Sequence, residues 1–123
     1  MPEKTTGFAS PAQGYEEEGI DLNRLLIRNP PATIYVRLDS NDMEALGLVR
    51  DMLLVIDRSI TPAANALVML RHEGRFLCRL LNKKRGKTSF TDGKEEICPI
   101  EDETEIIGTV TAAIRFYSND NAH

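Results

Sequence analysis

The stretch most able to do chemistry is Asp39-Ser40-Asn41-Asp42, four polar residues between two apolar runs. It offers a hydroxyl and two carboxylates. A serine hydroxyl becomes a nucleophile only when a neighbouring base takes its proton. By type, Lys83 and Lys84 are candidates for that base, but the turn signals around Gly86 put both in a predicted loop, where burial would not make them neutral. In an extended segment Ser40 points to the same side as Asp42, so the two can share one site. On pattern alone the stretch reads more readily as an ordinary polar connection between strands. His72 falls in a turn and His123 at the terminus, and neither has partners at metal-ligand spacing. Cys78 and Cys98 show no metal spacing either and are expected as reduced, buried or half-buried thiols. No metal or cofactor is expected.

The elements that must position this stretch follow from periodicity. Ile34, Val36 and Leu38 alternate with Tyr35 and Arg37, which predicts a half-buried strand leading in. Residues 52–56, Met-Leu-Leu-Val-Ile, form a continuous apolar run that predicts a buried strand leading out. Upstream, residues 20–27 predict a short helix, with Asp21 as its cap and Leu22, Leu25 and Leu26 on one face. Asn29-Pro30-Pro31 ends it. Residues 65–71 and 75–81 predict a hairpin about His72-Glu73-Gly74. Short strands are expected near 88–90 and 96–100, around Asp92-Gly93, and a long last strand over 106–117. Lys83, Lys84, Arg85 and Lys87 form a basic cluster, expected to be a solvated hairpin tip. Residues 1–19 carry no periodic apolar face and are expected to be a flexible arm, with a single domain over 20–123.

Composition sets the bounds. The chain has 123 residues, enough for one core, and lacks tryptophan. A net charge of −4 argues against a large phosphate-binding surface, so no direct sequence-specific DNA binding is expected. No apolar run is long enough to span a membrane, and the start, Met-Pro-Glu-Lys, is no signal peptide, so the expected location is the cytoplasm.

At these residues the chain resembles the LexA/UmuD (S24) family of serine-lysine self-cleaving peptidases. That family carries S-G-D-S-M, a glycine-rich segment and D-x-L-x-V-D. Here Asp39-Ser40-Asn41-Asp42-Met43 is followed by Asp51-Met52-Leu53-Leu54-Val55-Ile56-Asp57 at UmuD-like spacing. Gly7-Phe8, Ser10-Pro11-Ala12, Tyr15, Ile20-Asp21-Leu22-Asn23, Leu25-Leu26-Ile27, Pro30 and Ala32-Thr33 also match without gaps. The resemblance runs from Gly7 to about Phe116 and implies a mainly β fold, a compact curved assembly of strands with one short N-terminal helix.

The resemblance places the family's nucleophilic serine on Asp42. The family's G-x-F-x-x-K-K-L becomes Gly74-Arg75-Phe76-Leu77-Cys78-Arg79-Leu80-Leu81, which places the general-base lysine on Arg79. A carboxylate attacks amides poorly, and a guanidinium cannot serve as a base. Both members of the dyad are therefore substituted, and if they lie as the family's pair does, they should form an ion pair. The bond cut in the UmuD-like members falls here at Thr6-Gly7, with only six residues before the glycine, so the chain resembles the processed form. The length leaves no room for the helix-turn-helix domain of the family's repressors. The implied function is a UmuD-like accessory subunit of an error-prone Y-family (translesion) DNA polymerase in the SOS response to DNA damage. The implied state is a homodimer, with the last strand as candidate shared surface. A RecA-type filament or an intact UmuD relative are further implied partners. The alternatives are a peptidase with a displaced nucleophile such as Ser40, or a decoy that tunes an intact relative.

Overall fold

A computed structural model describes residues 19–118. The expected flexible arm over 1–19, with the Thr6-Gly7 junction, and His123 lie outside the described residues, save Gly19 itself. Seven strands form one antiparallel sheet: β1 (Thr33–Arg37), β2 (Leu53–Asp57), β3 (Leu67–His72), β4 (Arg75–Lys84), β5 (Lys87–Thr91), β6 (Ile97–Pro99) and β7 (Thr104–Ile114). Their order across the sheet is β1-β2-β7-β3-β4-β5-β6. The fold is mainly β, as expected from the alternating and continuous apolar runs.

The last strand is the middle of the sheet. Both edges of β7 are hydrogen-bonded, one to β2 and the other to β3. A shared surface between copies on this strand would therefore have to use a face and not an edge, since the unpaired edges among the described strands belong to β1 and β6. β7 carries two bulges. Thr111 is the extra residue opposite Val55/Ile56, and Ile107 is the extra residue opposite Met69/Leu70. A bulge bends its strand and sharpens the local twist, so two on a central strand curve the sheet. The Thr111 hydroxyl donates to the carbonyl of Val55 at 3.3 Å, beside the break in the ladder. Gly108, between the bulges, is set by close approach. A Cβ there would stand 2.7 Å from Ile56 Cγ2 and 3.0 Å from the Asp57 carbonyl oxygen.

Alternation along β3 and β4 divides the apolar residues between the two faces of the sheet. Leu54, Ile56, Met69 and Cys78 pack with Leu38, Met43, Leu48 and Met52 in the larger core. Val68, Leu70, Leu81 and Phe90 pack in the smaller one. The helix α1 (Leu22–Leu26) is shorter than expected, and Asp21 caps it by accepting from the Asn23 and Arg24 N–H groups. Its leucine face does not join the core: Leu22 and Leu25 are 62% and 60% exposed. The expected loop at Lys83 and Lys84 is instead the end of β4, extended by pairing with β5.

Candidate functional site

The loop after β1 is closed at its base. Leu38 N–H donates to the Met52 carbonyl and Asp51 N–H to the Leu38 carbonyl, each at 2.9 Å. Inside that closure a short 3₁₀ turn, Glu44–Leu46, ends at Gly47 in the left-handed region (φ 84°). Met43 and Leu48 on either side of the turn are buried in the larger core. Asn41 ties the loop across itself, its side-chain oxygen accepting from Arg50 N–H at 2.8 Å. Because Met43 is anchored, Asp42 is held at the rim, where its side chain stays half exposed. Ser40 is half-buried, and its Oγ accepts from the Asp42 N–H at 3.4 Å, its only hydrogen bond among the described residues.

Arg79 comes to the same place from β4. Its neighbours Leu77 and Leu81 both pack in the smaller core, and alternation puts Arg79 on their side of the strand. The side chain is 7% exposed. A buried guanidinium must have its donors occupied. Nε donates to Glu96 Oε1 at 2.7 Å, and Nη1 to the carbonyl of Cys78 at 2.9 Å. Nη2 lies 3.6 Å from Asp42 Oδ2. Asp42 and Arg79 are thus within ion-pair distance, but Glu96 holds the nearer and more direct contact.

Glu96 is delivered by a turn built from side chains. Asp92 Oδ1 accepts from the N–H groups of Lys94 and Glu96, and Thr91 Oγ1 from Gly93 N–H. The Lys94 N–H bond holds the Asp92 carboxyl below its ordinary range. Lys94 then reaches back to Glu44 at 2.9 Å, and this bond raises its ammonium above its usual value. The loop after β1 and the loop after β5 are therefore linked by Glu44–Lys94 and by Asp42–Arg79–Glu96. Sequence reasoning missed Glu96 and Lys94. The signal for Glu96 was an arginine between two leucines on a predicted strand, followed by an acidic segment.

A groove of about 400 Å³ opens beside the pair, lined by Val36, Leu38, Asp42, Met43, Phe76 and Arg79 among others. Phe76 is 66% exposed at its edge. The other candidate groups stand apart from a nucleophile's requirements. Burial pushes the Cys78 thiol up to about 11 and also raises that of Cys98. A thiol reacts as its thiolate, so neither is primed to attack. Lys83 and Lys84 are exposed at the far end of β4, and Lys83 Nζ donates to the Pro62 carbonyl at 3.1 Å. His72 Nδ1 lies 2.7 Å from Thr104 Oγ1, with its ring edge-on to Phe90. Among the described residues no cluster of His, Cys, Asp and Glu could hold a metal ion. Among them, too, no helix is long and apolar enough to cross a membrane.

Comparison with known proteins places this geometry in a family. The model of the Peptidase S24-like family matches residues 2–111, which include the loop after β1 and Arg79. Protein SamA of Salmonella typhimurium is 34% identical over 88% of this chain and 77% of its own length. Protein MucA of Escherichia coli is 30% identical over 89% of this chain and 78% of MucA. Protein ImpA of Shigella flexneri is 32% identical over 88% of this chain and 76% of ImpA. Family model and relatives agree with the UmuD-like resemblance carried by residues 39–57. The chain belongs to the Peptidase S24-like family.

Proposed function

We propose that this chain is a UmuD-like accessory subunit of an error-prone, translesion DNA polymerase in the DNA-damage response, acting in the cytoplasm as a binding partner and not as a peptidase. The observation that carries this reading is the occupation of one place by Asp42 and Arg79, 3.6 Å apart. Where the family's mechanism needs a hydroxyl beside a neutral amine, this chain has a carboxylate beside a guanidinium. Arg79 stays protonated, as its donation to Glu96 and to the Cys78 carbonyl requires, so it cannot accept a proton from Ser40. The fold and the groove remain, and a fold of this kind without its chemistry is suited to holding a partner. Homodimer formation belongs to the same reading, through a surface other than the edges of β7.

The test is complementation in a bacterial strain that lacks its own UmuD but keeps the polymerase partner. The chain is expected to support damage-induced mutagenesis while staying full length at alkaline pH and with an activated RecA-type filament. A product beginning at Gly7, abolished by Ser40→Ala, would establish a displaced nucleophile instead. Failure with both foreign and cognate polymerases, together with suppression of mutagenesis beside an intact relative, would establish the decoy role.

A further inference from the structure

We infer that the tip of the β4–β5 hairpin is a contact for the phosphate backbone of nucleic acid, independent of sequence and separate from the Asp42–Arg79 site. The tip carries Lys83, Lys84, Arg85 and Lys87 around Gly86, and all five residues are exposed. The pairing register sets Lys84 directly opposite Lys87. Like charges opposite one another across a strand pair destabilise a hairpin. Arg85 adds a second cost, since it occupies the left-handed region at φ 53°, which side chains other than Asn and Asp rarely adopt. Neither cost is offset by an acidic partner among the described residues. Among the described residues no carboxylate lies within 4.0 Å of any of these four cations, as is also true of several isolated surface arginines, but only here do four such cations stand together.

The chain as a whole is net −4 with these four cations included, so the remainder is more acidic still. A polyanion is therefore repelled by most of the molecule and attracted at this tip. Residues 82–88 contain no apolar or aromatic side chain. Without an apolar anchor the tip is poorly suited to insertion into a lipid surface. Without an aromatic it cannot stack on exposed bases. What it can do is place three or four cations against phosphates, the contact that positions a protein on nucleic acid without reading sequence. The tip lies five residues along β4 from Arg79, about 17 Å at the rise of a strand. The inference does not depend on the polymerase reading, since it concerns only the hairpin and its charge.

The test is fluorescence anisotropy of the full-length chain with labelled duplex and single-stranded oligonucleotides, over a salt series starting at about 20 mM. Weak binding is expected, with log affinity falling against log salt at a slope of about 3, as for three to four phosphate contacts on a duplex. Neutralising the tip in the variant Lys84→Gln/Arg85→Asn/Lys87→Gln is expected to weaken binding at least about tenfold and to flatten the slope by nearly the same number. The same variant relieves the facing lysines and the left-handed arginine, so it should melt no lower than the parent. The control variant Arg24→Gln/Arg50→Gln/Arg58→Gln removes as many exposed cations elsewhere and should bind within about twofold of the parent. Absence of binding to either oligonucleotide at the lowest salt would overturn the inference. So would equal loss in the two variants, or binding only to vesicles containing phosphatidylglycerol, which would move the site to anionic lipid.

Discussion

Arg79 is bound more directly by Glu96 than by Asp42: its Nε donates to Glu96 Oε1 at 2.7 Å, while Nη2 stands 3.6 Å from Asp42 Oδ2. The two carboxylates should therefore differ in what they contribute. Glu96 satisfies a donor on a buried side chain, and removing it leaves that donor unpaired, at a cost of about 1–3 kcal/mol. Asp42 is half exposed and makes a longer contact, so its loss should cost about 0–1 kcal/mol. Chemical denaturation of Glu96→Ala and Asp42→Ala measures both. Equal losses, or a larger loss for Asp42→Ala, would show that the pairing with Glu96 is not what holds Arg79.

The same contact bears on whether peptidase chemistry can be put back. The double variant Asp42→Ser/Arg79→Lys supplies the family's hydroxyl and amine. With Glu96 beside it, the new lysine gains an anionic partner that favours its charged form, the wrong form for a base. Self-cleavage before Gly7 is therefore expected to be faster in the triple variant with Glu96→Gln than in the double variant. Gel analysis at alkaline pH compares the two rates, and a double variant that cleaves as fast as the triple would rule out this role for Glu96.

Gly108 should tolerate no side chain. A Cβ would come within 2.7 Å of Ile56 Cγ2 and 3.2 Å of the Arg58 Cα, and strand backbone there cannot retreat without breaking the ladder to β2. Gly108→Ala is expected to destabilise by about 1–3 kcal/mol, as overpacking does. Gly86→Ala, by contrast, meets nothing within 4 Å, so any cost there comes from its left-handed backbone at φ 76°. Thermal melts of the two variants separate crowding from backbone strain, and an unchanged melt for Gly108→Ala would mean that β2 and β7 can part.

Asp57 gives the fold a defined acid response. Its carboxylate accepts from the Ser59 hydroxyl at 2.6 Å and the Ser59 N–H at 2.8 Å, and these bonds hold it below its ordinary value of 3.8. A carboxyl depressed in the folded state binds protons less readily than in the unfolded chain. Its stabilisation is complete above the unfolded value and is lost as pH falls through the lower folded value. Ser59→Ala removes the hydroxyl bond, so Asp57 should titrate at a higher pH, and the acid-labile stabilisation should be smaller and be lost over a narrower pH range. Carboxyl NMR titration of the parent and the variant reads this directly, and an unshifted Asp57 would refute it.

Sequence alone determined the strands and the address of the site. Alternation at 34–38 and the unbroken run at 52–56 are local properties, and they emerge as β1 and as β2, whose residues Leu54 to Asp57 are all buried. Asp21 as a cap and the turn at His72-Glu73-Gly74 are likewise set by neighbours in the chain. The family resemblance implied that Asp42 and Arg79 share one place, and they lie 3.6 Å apart. Tertiary structure decided what periodicity cannot carry. The last strand lies in the middle of the sheet because strand order depends on long-range pairing. Leu22 and Leu25 of α1 remain exposed because amphipathic spacing marks a face without saying what covers it. Lys83 and Lys84 belong to β4 because pairing with β5 overrides a polar composition. Glu96 becomes the main partner of Arg79 because a buried guanidinium takes whichever carboxylate the fold can bring to its donors, and that carboxylate lies seventeen residues away along the chain.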